Sequence, residues 1–212
     1  MRDSYDEVMS IRPTRDAAPD AVGILLAAGA GRRMGTPKAL VIDDDGEPWL
    51  ARGVRVLREG GCERVVVVLG AAPEAESLIP ADLRARVTVT IADEWARGQS
   101  ASLRAGIRAV QAEPGFAALV SLVDLPGLRA PAVRRVLAAA RGSAQPSPAS
   151  ALLQAAYDGR PGHPVFLGAA HLAPLLKHLH GDTGARPYLL AHDVRIVDCT
   201  DLGGGDDVDT PG

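Results

Sequence analysis

The stretch from residue 22 to residue 40 constrains the fold of this chain more than any other part of the sequence. It opens with seven small or apolar residues, 22–28, which have the composition of a buried strand. The run then breaks at Gly29-Ala30-Gly31, and two arginines, another glycine and Lys38 follow. Glycine lets backbone N–H groups come close to an anion, and Arg and Lys neutralise its charge. The stretch therefore predicts a buried strand that leads into a loop suited to binding a polyphosphate.

The remaining sequence provides a core large enough to bury such a strand. The chain has 212 residues, of which 47% are hydrophobic and 3% aromatic, so we expect a globular core of aliphatic side chains. Its formal net charge of −3 argues against a general nucleic-acid-binding protein. Two cysteines, Cys62 and Cys199, are too few for a disulfide framework or a zinc cluster and are expected to be reduced. Without a bilayer-spanning apolar run or a signal-peptide core, the chain is expected in the cytoplasm, not at a membrane.

Predicted strands and helices alternate along the chain from residue 21 onward. We expect residues 1–20 to be a mobile leader and residues 21–212 to be a single domain. Strands are predicted at 22–28, 64–69, 87–91, 116–123, 151–156 and 194–197, with a short apolar segment at 163–167. Helices are predicted at 49–58, 73–79, 100–110, 130–141, 169–178 and 185–192, the third of them capped by Ser100. This alternation predicts an α/β fold in which helices cover both faces of a mostly parallel sheet.

The glycine-rich loop fits neither of two common phosphate-binding patterns. The Walker pattern places Lys directly after Gly and before Ser or Thr, whereas Lys38 follows a proline and precedes an alanine. The dinucleotide pattern needs glycine at its first, third and sixth positions, and Gly29 and Gly31 are followed by Met34 at the sixth. The next predicted strand also lacks the acidic residue expected at its end. An exposed strand end without a ligand remains an alternative for this loop.

The full string LLAAGAGRRMGTPK resembles the signature of the MobA-like nucleotidyltransferases, in the branch that contains the molybdenum cofactor cytidylyltransferases and guanylyltransferases. The matching positions are Leu26, Ala27, Ala28, Gly29, Gly31, Arg33, Met34, Gly35 and Lys38. Four later strings resemble motifs of the same family in the same order, at residues 123–126, 159–166, 181–186 and 206–211. The resemblance implies a three-layer α/β/α, Rossmann-like fold of the nucleotide-diphospho-sugar transferase type.

The resemblance also implies which residues hold the nucleotide and the metal. Nucleotide-binding positions are Leu26, Ala27, Ala28, Gly29, Gly31, Arg33, Lys38, Gly98, Ser100 and Ser102. Arg33 would hold the β- and γ-phosphates, Lys38 would approach the α-phosphate, and both are expected to be catalytic together with Asp124. Asp124 and Asp209 would bind Mg²⁺, with Asp207 as the alternative second ligand. A turn-forming aspartate before proline is the competing interpretation of Asp124.

Three further residues match the acceptor side of the molybdenum cofactor branch. They are His163 in the string HP, and Asp182 and Arg186 in the string GDTGAR. An exposed histidine in a turn and a helix-capping aspartate are the alternatives for the first two.

The reaction implied by the resemblance is a Mg²⁺-dependent transfer of a nucleoside monophosphate from an NTP to a molybdopterin-type cofactor, with release of pyrophosphate. Ala27-Ala28-Gly29 resembles the cytidylyl-transferring members, which favours CTP over GTP. A molybdoenzyme or its chaperone is considered as a protein partner. The alternatives are an NAD(P)H-dependent oxidoreductase on the same fold, a nucleotidyltransferase for another phosphorylated acceptor, and a catalytically silent module that binds the cofactor. The missing dinucleotide pattern argues against the oxidoreductase.

Overall fold

A seven-stranded sheet forms the middle layer of the protein, in a computed structural model that describes residues 21–112, 116–142 and 147–208. The expected leader, residues 1–20, lies outside the described residues. The strands are β1 (Ala21–Ala27), β2 (Arg64–Leu69), β3 (Val87–Ile91), β4 (Ala117–Leu122), β5 (Leu152–Tyr157), β6 (Arg160–Leu167) and β7 (Arg195–Asp198). Their order across the sheet is β3-β2-β1-β4-β6-β5-β7.

The sheet is mostly parallel, as predicted, with β6 as the reversed strand. β1 runs parallel to β2 and β4, β2 runs parallel to β3, and β5 runs parallel to β7. β6 is antiparallel to both of its neighbours, β4 and β5. The reason is the short connection at Asp158-Gly159, whose φ angles of 50° and 74° are those of a two-residue hairpin turn. A turn this short joins only antiparallel strands, so β6 begins at Arg160, before the apolar segment predicted from residue 163.

Within the described residues, five α-helices cover the two faces of the sheet. They are α1 (Trp49–Glu59), α2 (Gln99–Gln111), α3 (Ala130–Arg141), α4 (Ala169–His178) and α5 (Arg186–Ala191). Apolar residues of α1 and α3 pack on one face, and those of α2, α4 and α5 pack on the other. β2 contributes side chains to the core on both faces. Val65 and Val67 pack on the face covered by α1 and α3, and Val66 and Val68 pack on the opposite face. None of the described helices is long and apolar enough to cross a membrane.

The start of α2 differs from the prediction. The helix begins at Gln99 after Gly98, which has a φ of 114°, and no side chain caps it from the preceding residue. The Ser100 hydroxyl instead donates a hydrogen bond to the carbonyl of His180, 3.0 Å away. The prediction that Ser100 caps its own helix was therefore wrong, since the residue lies one position inside the helix and is buried.

The central strand β1 is buried on both faces by helices that approach it very closely. Gly53 of α1 lies over Leu25, and a Cβ at Gly53 would be 2.9 Å from the Leu25 side chain. Gly106 of α2 lies over Ile24 on the opposite face, and a Cβ there would be 2.7 Å from Ile24 Cγ2. A glycine on each helix thus lets the two layers close on β1. Cys62, also packed against β1 through Gly23, has its thiol pKa raised to about 12 by burial.

We expect Gly106→Ala to lower the free energy of unfolding by about 1 kcal/mol, because overpacking costs ~1–3 kcal/mol and alanine recovers up to ~1 kcal/mol of helix propensity. Gly142→Ala at the end of α3 is the matched control, since among the described residues its Cβ would meet the Ala138 carbonyl oxygen at an ordinary 3.7 Å. Urea denaturation of both variants measures the difference. Equal stability of the two would contradict the close contact between α2 and β1.

Candidate active site

The carboxyl ends of three parallel strands meet at one edge of the sheet, and their loops are tied together there. The Ala71 N–H, after β2, donates to the carbonyl of Ala28, after β1, at 3.0 Å. The Val123 N–H, after β4, donates to the carbonyl of Leu26 at 3.1 Å. This edge is where open α/β sheets bind ligands, so the glycine-rich loop and Asp124 are held at the expected place.

A cavity of about 680 Å³ lies at this edge, and we call it the glycine-loop cavity. The predicted residues that line it are Leu26, Ala28, Gly29, Gly31, Arg33, Lys38, Gly98, Ser102 and Asp124. Two predicted nucleotide-binding residues do not line it. Ala27 is buried in the core on the α1 face, and Ser100 is buried beneath the start of α2 with its hydroxyl on His180.

The curl of the glycine-rich loop depends on Gly31. This residue has a φ of 58°, and the N–H of Gly35 donates to its carbonyl at 2.9 Å, which closes the turn. A Cβ at Gly31 would lie 1.8 Å from the carbonyl oxygen of Thr36, so no other residue fits without moving the backbone. Gly29, in contrast, has open space where its Cβ would be. The glycine at position 31 therefore shapes the loop.

Lys38 and Asp124 form an ion pair across the glycine-loop cavity. Lys38 Nζ lies 2.6 Å from Asp124 Oδ2, and the two side chains are 15% and 18% exposed. The other carboxylate oxygen, Asp124 Oδ1, is buried and has no hydrogen-bond partner among the described residues. A buried acceptor without a partner is costly. This oxygen is suited to a hard cation such as Mg²⁺, which prefers oxygen ligands, so the chemistry of Asp124 fits a metal ligand.

The C-terminal segment reaches Asp124 from the opposite side. The Val208 N–H donates to the backbone carbonyl of Asp124 at 3.0 Å. Gly204 allows this path, because a Cβ there would be 2.0 Å from the Gly127 carbonyl oxygen. Asp209, the predicted second metal ligand, follows Val208 in the sequence and lies outside the described residues. Within residues 21–112, 116–142 and 147–208, no three His, Cys, Asp or Glu side chains are placed to hold a metal together.

A second cavity, of about 800 Å³, contains the predicted acceptor residues, and we call it the His163 cavity. His163, Asp182 and Arg186 all line it, and the structure therefore brings the three together. Leu26, Gln99 and Asp182 line both cavities. The two cavities thus adjoin at the carboxyl edge of the sheet.

His163 is held in one tautomer by its hydrogen bond to the sheet. Its Nδ1 lies 3.2 Å from the carbonyl oxygen of Val120, and its own carbonyl accepts from the Tyr157 hydroxyl at 2.9 Å. Because a carbonyl only accepts, the proton of the neutral ring is on Nδ1, and Nε2 is left as an acceptor. Burial lowers the pKa of His163 below its ordinary 6.5, against the opposing effects of the Val120 hydrogen bond and the Asp124 charge. The cavity therefore contains a neutral imidazole at physiological pH.

Asp182 also has a structural partner. Its Oδ1 accepts the backbone N–H of Gln99, at the start of α2, at 2.8 Å. Asp182 thus caps a helix, as the alternative interpretation of this residue proposed, but the helix is α2, which begins more than 80 residues earlier in the sequence. Arg186, the first residue of α5, is exposed at the cavity.

Several residues that line these cavities were not predicted from the sequence, among them Gln154, Trp95 and Gln99. Gln154 lines the His163 cavity, and its Nε2 donates to the carbonyl of Gly162 at 3.2 Å. It was detectable as the single polar side chain in the strand LLQAAY. Trp95 and Gln99 border the glycine-loop cavity, and Trp95 packs so tightly on Gly70 that a Cβ there would be 2.7 Å from it. Trp95 had no signal in the sequence, because a tryptophan before a helix is equally typical of the core.

Comparison with known proteins identifies relatives over nearly the whole chain. Residues 23–196 match the family described as the MobA-like NTP transferase domain. Nicotine blue oxidoreductase from Paenarthrobacter nicotinovorans is 34% identical over 195 residues, which cover 91% of this chain and 93% of that protein. Purine catabolism protein PucB from Bacillus subtilis (strain 168) is 26% identical, with 92% and 94% covered. A probable molybdenum cofactor guanylyltransferase from Opitutus terrae is 35% identical over 109 residues, which cover 51% and 50%.

Solved structures share the fold. Rv0371c from Mycobacterium tuberculosis H37Rv superposes with a TM-score of 0.72 at 27% identity, covering 92% of this chain and 95% of that one. The complex of Rv0371c with manganese has a TM-score of 0.65 at 26% identity, covering 84% and 88%. A nucleotidyl transferase from Methanothermobacter thermautotroptrophicus has a TM-score of 0.70 at 24% identity, covering 90% and 92%, a likeness that concerns the fold alone. The predicted fold class is confirmed.

We expect Gly31→Ala to destabilise the protein by about 2 kcal/mol, because a left-handed backbone costs a residue with a Cβ ~1–2 kcal/mol before the clash with Thr36 is counted. Gly29→Ala, two residues away with open space at its Cβ, is the matched control and should change stability by less than about 0.5 kcal/mol. Chemical denaturation compares them. A Gly31→Ala protein as stable as the Gly29→Ala protein would show that the loop adopts another conformation.

We expect His163 to lower the free energy of unfolding of the wild-type protein as the pH falls. The folded state resists protonation of this ring and the unfolded state does not, so stability is retained above about pH 6.5 and lost below it. His163→Asn keeps a donor at the Nδ1 position but does not titrate. Urea unfolding from about pH 7.5 to about pH 5 should show the wild type losing more stability than the variant. Parallel curves for the two proteins would rule out a buried neutral His163.

Proposed function

The chain belongs to the MobA-like NTP transferase family, and within that family we propose that it transfers a nucleoside monophosphate from an NTP to the phosphate of a molybdopterin-type cofactor, releasing pyrophosphate. The observation that carries this proposal is the junction of the two cavities at Leu26, Gln99 and Asp182. Group transfer between two bound substrates requires two adjoining sites, because the rate depends on holding the reacting atoms next to each other. The name of the relative from Opitutus terrae supports the choice of acceptor.

The glycine-loop cavity is the proposed NTP site. Backbone N–H groups of the loop and the guanidinium of Arg33 would bind the β- and γ-phosphates, while Lys38 would stabilise the charge that develops at the α-phosphate. Gly98 and Ser102 line the cavity beyond the phosphates and are proposed to contact base or ribose. Ser100 would act on the same wall through its hydrogen bond to His180. CTP is the proposed donor and GTP the second candidate, from the string Ala27-Ala28-Gly29.

Mg²⁺ is the proposed metal, with Asp124 as one ligand and Asp209, or Asp207 in its place, as the other. The buried Asp124 Oδ1 without a partner supports this assignment from the chain itself. The manganese complex of Rv0371c supports a divalent metal among its structural relatives. When bound, the ion would neutralise charge on the triphosphate and on the departing pyrophosphate.

The His163 cavity is the proposed acceptor site. Arg186 would attract the anionic phosphate of the acceptor, and His163 would accept a hydrogen bond at Nε2, with Asp182 beside them. An oxygen of the acceptor phosphate attacks the α-phosphorus of the NTP, and the bond from that phosphorus to the β-phosphate oxygen breaks. Pyrophosphate leaves with the electron pair, and the product carries the nucleotide on the acceptor. The reaction is assigned to the cytoplasm, where NTPs are available.

The second candidate function is NAD(P)H-dependent reduction of a small molecule, which the name of the relative from Paenarthrobacter nicotinovorans suggests. The loop after β1 lacks the third glycine of the dinucleotide pattern, and Lys38 and Asp124 are suited to phosphates and a metal instead. Fluorescence titration distinguishes the two functions. Binding of NAD(P)H without binding of NTP would favour the reductase, and tight cofactor binding without turnover would favour a silent binding module.

Purified protein with Mg²⁺ and molybdenum cofactor should release pyrophosphate from CTP faster than from GTP, and slowly or not at all from ATP or UTP. Asp124→Asn should lower kcat by about 100-fold or more, since it removes a charge that acts on the transition state. Asp44→Asn, an exposed carboxylate that lines neither cavity, is the matched control and should retain wild-type activity. No pyrophosphate with any NTP would reject the proposal, and release with another phosphorylated acceptor instead would correct its substrate.

A further inference from the structure

The loop at residues 180–184, between α4 and α5, is attached to the first turn of α2 by three hydrogen bonds. Asp182 Oδ1 accepts the Gln99 N–H at 2.8 Å. The carbonyl of Gly181 accepts the Ser100 N–H at 3.3 Å, and the carbonyl of His180 accepts the Ser100 hydroxyl at 3.0 Å. Two of these bonds, from the N–H groups of Gln99 and Ser100, use backbone donors at the start of α2 that the helix itself cannot satisfy. The loop therefore supplies the cap that α2 lacks within its own segment.

Two glycines let the loop and the start of α2 approach closely, Gly98 against the loop backbone and Gly184 against the side chain of Gln99. Gly98 has a φ of 114°, and a Cβ there would be 2.8 Å from the Gly181 carbonyl oxygen and 2.9 Å from Asp182 Cα. Gly184 has a φ of 56°, and its Cβ would be 2.9 Å from the side-chain oxygen of Gln99. These close approaches, together with the three hydrogen bonds, join the loop to the start of α2. A shift of the start of α2 is therefore expected to move the loop.

The contact lies between the two cavities. Gly98, Gln99 and Ser102 form one wall of the glycine-loop cavity. The loop leads directly into α5, where Arg186 lines the His163 cavity. Gln99 and Asp182, the two partners of the shortest hydrogen bond, line both cavities. A ligand that orders the start of α2 would therefore also affect the loop at residues 180–184, which contains Asp182 and leads to Arg186.

We propose that Asp182 is a positioning residue that couples the two cavities through the backbone N–H of Gln99. Nucleotide binding in the glycine-loop cavity would then order the acceptor residues of the His163 cavity. This inference rests on the proposed function for the identity of the two ligands. The carboxylate acts by accepting a backbone hydrogen bond at a helix start, where its charge also strengthens the bond. Coupling of this kind is reciprocal, and occupation of the acceptor side must tighten nucleotide binding by the same factor.

Asp182→Asn and Asp182→Ala separate this role from a direct contact with substrate. Asparagine keeps a carbonyl oxygen that can accept the Gln99 N–H but loses the charge, whereas alanine loses the acceptor. In full-length protein, Mg²⁺ with CTP should slow amide hydrogen exchange of residues 180–186 by about tenfold in the wild type and in Asp182→Asn. In Asp182→Ala the slowing should be less than about twofold, while the CTP-contacting glycine loop is still protected. The KM for the acceptor should rise about tenfold in Asp182→Ala. In Asp182→Asn it should stay within about threefold of the wild-type value.

A variant at another bond of the same contact covers the case in which Asp182→Ala fails to fold. Ser100→Ala removes the hydroxyl that binds the His180 carbonyl and leaves Asp182 in place, and it should reduce the protection of residues 180–186 in the same direction. Near-UV circular dichroism shows whether each variant is folded.

The outcomes distinguish this inference from the proposed function. The coupling would be overturned if neither CTP nor GTP, with Mg²⁺, slowed hydrogen exchange of residues 180–186 in the wild type. It would also be overturned if the slowing in Asp182→Ala equalled that in the wild type. Asp182→Asn as impaired as Asp182→Ala would overturn it too, because the charge rather than the acceptor oxygen would then be required. Protection that reaches residues 180–186 without any release of pyrophosphate would support the coupling and contradict the proposed transfer.

Discussion

The parallel pairing of β1 with both β2 and β4 is the constraint on which the rest of the molecule depends. Three parallel strands end at the same edge, so the segments that follow them are brought together whatever their separation in sequence. Lys38 and Asp124, which are 86 residues apart, form an ion pair for this reason. The backbone hydrogen bonds from Ala71 and Val123 to β1 and its loop then fix how the edge is arranged. Loop geometry at this edge follows from the sheet.

The charges of Lys38 and Asp124 partly balance each other at that edge. A carboxylate with one buried oxygen that lacks a hydrogen bond is unfavourable, because that oxygen loses its contacts with water and gains none in exchange. The ammonium of Lys38 on the other oxygen offsets part of this cost, and the backbone of Asp124 is anchored by the Val208 N–H. The remaining oxygen, Oδ1, has no hydrogen-bond partner within the part of the chain that the structure describes.

Glycines decide how closely the layers and loops approach. Gly53 and Gly106 bring helices onto β1, Gly31 curls the phosphate loop, and Gly98 places the start of α2 against the Asp182 loop. In each case a Cβ would lie under 3 Å from its neighbour. The close packing at these positions therefore requires a residue without a side chain. The same close approach joins the two cavities, since Gly98 has no side chain to separate the α2 start from residues 181 and 182.

The sequence by itself determined the β1 strand, its glycine-rich loop, the alternation of strands and helices, and the family, because periodicity and local motifs are properties of neighbouring residues. It also supplied Asp124, His163 and Arg186 as candidates, each through a short string. The reversal of β6 and the place of Gln154 had local signals, in the turn Asp158-Gly159 and in the strand LLQAAY. Only the tertiary structure decided the assignment of Ser100 and Asp182 to a contact between distant segments. This contact depends on which surfaces meet across the sheet, and residues 80 or more positions apart leave no local pattern that records their meeting.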